Sequence, residues 1–189
     1  MTRQRHVLSV DIGGTHVKFR LSDGRDSLFF DSSPSMTPQQ MMRRIRLMTK
    51  DWSFDRVSLG FPGTMQAIGG YDGGRMLFLD FGTALGAVSI LDSKVYPMEL
   101  GHLPFSKRGQ IQSYVGGDAL TRLGSTRWSK NALQIISHLS RILDAHYVIV
   151  GGGNAAHLRS MPRHVRVTPP DLAFIGGFRA WKRSPGAEL

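Results

Sequence analysis

Cysteine is absent from the chain, which excludes disulfides, thiolate metal centres and cysteine nucleophiles and accords with a reducing compartment. No apolar run approaches the ~20 residues of a membrane-spanning helix. The run after the basic start Met1-Thr2-Arg3-Gln4-Arg5-His6 stops at Asp11, too early for an export signal. The expectation is a cytoplasmic protein with no membrane partner. Acidic residues are scarce, 14 Asp plus Glu against 24 Lys plus Arg, a formal charge of +10. That excess favours anionic partners: nucleotides, polyphosphate or nucleic acid. The basic residues are scattered, with small clusters at Arg43-Arg44-Ile45-Arg46 and from Arg179 to Arg183, and a solvated basic surface explains them equally well. Zinc-finger, RNP and helix-turn-helix signatures are missing, so nucleic acid is not an expected partner.

Glycine is abundant instead: 22 residues, many paired at the ends of apolar runs, where backbone turns sharply or approaches a ligand. The 189 residues, 41% hydrophobic and 20% charged, suit one folded domain or two small lobes. Val7 to Ile12 reads as a buried strand entering a tight turn, and His16 to Leu21 alternates as a half-buried one closed by Ser22-Asp23-Gly24. Leu28 to Phe30 is a third strand. Thr37-Pro38-Gln39-Gln40 predicts a capping box opening a helix to about Lys50. Arg56 to Phe61, Met76 to Phe81, Leu85 to Leu91 and Tyr147 to Val150 read as further strands. Ser113 to Leu123 and Trp128 to Leu143 have helical spacing, and Asp171 to Trp181 reads as a helix broken at Gly176-Gly177. Trp52, Trp128 and Trp181 are expected in the core.

The chain repeats itself. At an offset of 69 positions Leu79-Asp80-Phe81-Gly82-Thr83 falls on Val10-Asp11-Ile12-Gly13-Gly14, with Val88 on Phe19, Ile90 on Leu21 and Asp92 on Asp23. Two facing hairpins of this kind would present backbone amides to a shared cleft, an arrangement suited to phosphate. In the first, Asp11 supplies a carboxylate for Mg²⁺ held through water, Gly13 and Gly14 admit a phosphate, and Thr15 and Lys18 lie alongside; the plain alternative is a hairpin turn capped by Asp11. Gly82, Thr83 and Gly86 form the second turn, or a bulged hairpin. Gly151-Gly152-Gly153-Asn154 would start a helix beneath the donor phosphates or adenine, or be an ordinary strand-to-helix loop. Glu99 and His102 flank Gly101 in a spacing suited to vicinal hydroxyls.

Together these stretches resemble the ROK sugar kinases, most closely their polyphosphate-glucokinase-like branch. The resemblance runs through Asp11 to Lys18, Ser58 to Gly63, Gly82 to Gly86, Glu99 to His102, Tyr114-Val115-Gly116, Gly151 to Asn154 and Ala173 to Phe178. It implies an α/β, actin/hexokinase-like (ribonuclease H-like) pair of duplicated lobes with mixed sheets flanked by helices. Residues 1–72 would form the first phosphate lobe and 73–189 the second. The implied reaction transfers phosphate from ATP or polyphosphate to a hexose with Mg²⁺, with Glu99 and His102 as sugar ligands.

Three departures qualify that implication. Family members place several dozen residues between the Phe-Pro-Gly strand and the Met-Gln-Ala helix, which here adjoin as Phe61-Pro62-Gly63-Thr64-Met65-Gln66-Ala67. The missing stretch should hold an edge strand of the first lobe, a helix and the general-base Asp, whose contribution is ~10²–10⁴-fold from ~3 Å away. Thr64 cannot replace it, and Asp72 lies past the helix start. Ala84 stands in for a glycine, and Asp80 for a small neutral residue, where its charge is expected to repel phosphate. No catalytic residue is identified. The first lobe is therefore expected to be truncated and marginal, with an exposed edge open to pairing, including a homodimer. A non-catalytic module binding nucleotide or polyphosphate is the alternative reading, and a nucleic-acid-binding regulator the third.

Overall fold

The computed structural model describes residues 6–60, 63–106, 109–169 and 171–182. Met1 to Arg5, Phe61, Pro62 and Arg183, which figure in the readings above, lie outside that range. In chain order the elements are β1 (Val7–Ile12), β2 (His16–Leu21), β3 (Leu28–Asp31), α1 (Pro38–Met48), β4 (Arg56–Gly60), α2 (Thr64–Gly70), β5 (Arg75–Phe81), β6 (Leu85–Leu91) and β7 (Lys94–Met98). A small hairpin of β8 (Pro104–Ser106) and β9 (Gly109–Gln110) precedes α3 (Gln112–Val115), α4 (Gly117–Ile142), β10 (Tyr147–Gly151), β11 (Val165–Val167) and α5 (Leu172–Lys182).

The first sheet has the order β3-β2-β1-β4 and the second β11-β10-β5-β6-β7. Strand for strand, β3-β2-β1-β4 matches β7-β6-β5-β10, and β11 has no counterpart. The absence falls on the edge, as the sequence gap predicts. Val57 and Leu59 on β4 are 37% and 48% exposed, although their register neighbours Leu8 and Val10 are buried. α1 contributes Ile45, Met41 and Met42 to the core over β1 and β2. It starts at the expected capping box: the Gln40 N–H donates to Thr37 Oγ1 at 3.2 Å, and the Thr37 N–H to Gln40 Oε1 at 2.9 Å.

The duplication is real but slips by one residue. Asp11 pairs with Lys18 across the first hairpin, whereas Asp80 pairs with Gly86 across the second. The second turn is one residue shorter, so the offset of 69 holds up to the turn and becomes 68 beyond it. Ala87, not Val88, therefore matches Phe19, and Val88 and Ile90 point to the opposite face. A one-residue slip exchanges the two faces of a strand. Both faces of β6 are buried, Leu85 and Ala87 in the core with α4, Val88 and Ile90 in the core with α2. Hydrophobicity alone consequently conceals the slip.

Helices α2 and α5 lie between the two sheets, and their closeness corrects the expected break at Gly176-Gly177. α5 runs unbroken through both glycines. A Cβ at Gly176 would overlap the Met65 carbonyl, one at Gly69 the Leu172 carbonyl, and one at Gly177 the Ser9 side chain. These glycines serve helix contact, not helix termination. Arg179 then donates to the Ile68, Gly69 and Tyr71 carbonyls at 3.2, 2.9 and 3.0 Å, closing the end of α2. At least this member of the 179–183 cluster is tied to the fold by backbone hydrogen bonds, although the residue stays exposed.

Two further expectations are corrected. The helical stretch from Ser113 is divided at Gly116, and α4 continues past a kink at Gly124 (φ 72°, ψ 159°), which only glycine adopts readily. Trp128 is fully buried against Phe81 and Trp52 is half-buried against Phe19, but Trp181 is 41% exposed. Trp181 instead lies under the Arg56 guanidinium, 4.6 Å from its ring centre, and donates from Nε1 to the Val57 carbonyl at 3.1 Å. It covers part of the β4 edge.

Candidate functional site

Both sheets deliver their central strands, β1 and β5, to glycine turns, and each strand carries a carboxylate at that end, Asp11 and Asp80, near enough for the charge of one to act on the other. In the first turn the Gly13 N–H donates to the His16 carbonyl at 2.9 Å and the Thr15 carbonyl accepts from the Ser32 N–H at 2.8 Å. Gly14 and Thr15 face solvent. Lys18, opposite Asp11 in register, is exposed.

The second turn is held from outside. The Gly82 N–H donates to the Ala84 carbonyl at 3.2 Å, and the Gly82 carbonyl accepts from Asn154 Nδ2 at 3.2 Å. The Thr83 carbonyl accepts from Gln112 Nε2 at 3.2 Å and from the Gly117 N–H at 3.1 Å, while Gln112 Oε1 takes the Leu85 N–H at 2.7 Å. With the Gly82 and Thr83 carbonyls and the Leu85 amide held by groups from outside, the turn is fixed in one conformation. Asn154 thus acts as a support of the turn. Gln112 does the same on the other side and escaped sequence reasoning. Its only signal is adjacency to the Tyr114-Val115-Gly116 stretch.

Gly151 pairs with Asp80 in register, and Gly152 (φ 83°) passes so close that a Cβ there would overlap Asp80 Oδ1 and the Phe81 carbonyl. The expected α-helix does not follow: Gly153–His157 is a 3₁₀ turn. After the positive-φ step the side chain of Asn154 is engaged with Gly82 and the chain turns back toward β11. No helix N-terminus is available there.

Asp11 Oδ1 and Asp80 Oδ1 are shut off from solvent without a hydrogen-bond partner. Burial raises the Asp11 pKa above the ordinary carboxylate range, with Lys18 opposing. Burial also raises Asp80, and the negative charge of Asp11 raises it further.

Beside the second turn, Gly63, Thr64, Gly86, Val88, Met98 and Glu99 are among the residues lining a cavity of about 320 Å³. The structure therefore brings Glu99 to the point where the chain crosses from the first lobe into α2. His102 sits on an exposed 3₁₀ turn and does not line this cavity. Gly63 (φ 102°) donates its N–H to Gln66 Oε1 at 2.9 Å, and α2 begins at once with Thr64. Asp72 lies at the far end of α2, where its N–H donates to the Tyr147 hydroxyl at 2.8 Å. Tyr147 opens β10, so Asp72 is at the opposite end of the sheet from the glycine turns.

No family model and no curated protein sequence matches the chain. Solved structures do. An inorganic polyphosphate/ATP-glucomannokinase from Arthrobacter sp. strain KM superposes with a TM-score of 0.74 at 16% identity, over 95% of this chain and 100% of that one. A ROK-family glucokinase from Streptomyces griseus, in complex with glucose and AMPPNP, gives 0.70 at 14% identity, over 93% and 98%. A ROK-family transcriptional regulator, homologous to the E. coli MLC protein, gives 0.66 at 11%, over 91% and 76%. The chain has the fold of the ROK sugar kinases, the duplicated α/β, actin/hexokinase-like arrangement, with its first lobe truncated.

Proposed function

We propose that this chain is a ROK-type carbohydrate kinase that retains the phosphate-binding cleft and is impaired in phosphoryl transfer. The observation that carries this reading is the direct passage from Gly63 into α2: among the described residues, Glu99 is the only carboxylate lining the cavity. Glu99 accepts hydrogen bonds from sugar hydroxyls there, while His102, exposed on the following turn and outside the cavity lining, is the weaker of the two proposed sugar ligands. Neither replaces a general base beside Thr64. Without one, the sugar hydroxyl must lose its proton to water, and ~10²–10⁴-fold in rate is forfeited.

The turn of Gly13, Gly14 and Thr15 on one side, through the Gly14 and Thr15 amides, and that of Gly82, Thr83 and Gly86 on the other, through the Thr83 amide, grip the phosphates of ATP or polyphosphate, with Gly151 to Asn154 behind the second turn. Lys18 adds positive charge at the first. Division into lobes 1–72 and 73–189 follows this reading, with α5 returning to the first sheet. The buried, unpartnered oxygen of Asp11 fits a hard cation such as Mg²⁺. When bound, Mg²⁺ would neutralise charge developing on the transferred phosphate. The basic surface makes polyphosphate a donor to test beside ATP.

The test combines glucose phosphorylation with each donor and calorimetric binding of the same donors. Binding of ATP or polyphosphate with turnover at least ~10²-fold below that of an intact kinase is expected. Full turnover would overturn the claim of impairment, and no binding of either donor would overturn the cleft itself. Turnover equal with both donors and indifferent to salt would exclude a role for the basic surface. Binding with no turnover at all would favour the second reading, a non-catalytic module, which the missing base also supports. Nucleic acid as a partner is the third reading; binding of nucleic acid but of neither donor would favour it.

A further inference from the structure

Asp80 departs from the pattern that the rest of the cleft follows, and nothing in the phosphate grip uses it. It occupies on β5 the place that Asp11 occupies on β1. The two carboxylates come from different sheets, and each presents an oxygen closed to solvent and without a hydrogen-bond partner. A buried carboxylate without a donor is costly, and a second one facing it compounds the cost. Asp11 has Lys18 across its hairpin, but the charge acting on Asp80 is the negative one of Asp11. The arrangement is electrostatically incomplete.

The surroundings of Asp80 indicate what would complete it. Its register partner on β6 is Gly86, where a Cβ would stand 3.3 Å from that of Asp80, and its partner on β10 is Gly151, followed by Gly152 pressed against Oδ1. Its backbone neighbours on both sides therefore bring no side chain over the carboxylate. Both aspartates are only half-buried, which leaves their carboxylates a way to the cleft for a small cation. Mg²⁺ is bound in this way, by one or two carboxylates with water and phosphate oxygens filling the remaining positions.

We propose that Asp80 joins Asp11 in a two-carboxylate site for a divalent cation of the Mg²⁺ type, linking the two sheets at the glycine turns. The site deepens the reading of the cleft as a phosphate site, yet it predicts metal binding in the absence of any nucleotide or sugar. Repulsion of phosphate by Asp80, the expectation from sequence, then applies only to the metal-free protein.

The experiment is titration of the metal-free chain with Mn²⁺ and Mg²⁺, without nucleotide, followed by calorimetry and thermal unfolding. The wild type is expected to bind one ion and to gain thermal stability. Asp80→Asn and Asp11→Asn should each weaken Mn²⁺ binding at least tenfold, while Asp72→Asn, at the far end of α2, should leave it unchanged. Mn²⁺ affinity of Asp80→Asn within twofold of wild type would overturn the proposal, as would no binding to the wild type at millimolar Mn²⁺. Greater stability of metal-free Asp80→Asn with unaltered metal affinity would mean that the pair shares a proton instead, which equally overturns it. Should the variants fail to fold, paramagnetic broadening in the wild type decides. Mn²⁺ should broaden the amide signals of Gly13, Gly86 and Gly152 together, and broadening confined to Gly13 would exclude Asp80. Turnover enters none of these readouts, so an inactive enzyme leaves them interpretable, and a failed metal site leaves donor binding to be judged separately.

Discussion

Neighbouring glycines at 152 and 153 meet opposite surroundings. At Gly152 the backbone takes φ 83° and any Cβ would overlap Asp80 and the Phe81 carbonyl, whereas at Gly153 no atom lies within 4 Å of an added Cβ. Gly152→Ala is expected to cost about 3 kcal/mol, from left-handed strain and overpacking. Gly153→Ala should cost little, and denaturant midpoints of the pair would check both. Asp80 itself gives a pH signature in the metal-free protein. Its folded pKa is raised, so between the unfolded carboxylate value and that raised value the folded state holds a proton that the unfolded chain has released. Stability therefore falls as pH rises through that window. Asp80→Asn should be more stable than wild type at neutral pH, with the gain shrinking as pH approaches 4; a gain constant with pH would contradict the cause. The turns at Asp11 to Thr15 and at Gly82-Thr83 could be read directly, as turns, because an apolar strand that runs into glycine usually ends there. Gln112 could not, since its role depends on a fold that places it against a turn 29 positions earlier in the chain.

Among the elements, α2 and α5 depend on each other most. Both helices carry glycines where their backbones nearly touch, and Gly176→Ala should destabilise by about 3 kcal/mol because a carbonyl, not a flexible side chain, blocks the methyl. Thermal unfolding of that variant would check it; an unchanged midpoint would mean that the helices separate at little cost. The same glycines explain why the helix break read from sequence was wrong, because a glycine pair reads alike as terminator and as contact surface. Strands β1, β2, β5, β6 and β10 were legible from apolar runs ending in turns. β7 was not, since Lys94, Tyr96 and Pro97 are exposed on an edge strand, and β11 is too short to carry a pattern. The one-residue slip between the hairpins stayed hidden because both faces of β6 are covered.

At the scale of the molecule the two lobes are unequal. The second sheet is buried between α4 and α2, whereas the first ends at β4 with Val57 and Leu59 exposed and, among the described residues, Trp181 over part of its edge. Urea is expected to unfold the first lobe before the second, giving two transitions; one steep transition seen alike in both lobes would overturn this. Nature has supplied the means of watching it. Trp52 packs against the first core, Trp128 stands in the second, and Trp181 lies at the β4 edge beneath a guanidinium. The chain carries three tryptophans, one for each compartment and one for the open edge of the first. Variants that retain a single indole would report, by emission wavelength and quenching, the loosening of each compartment in turn.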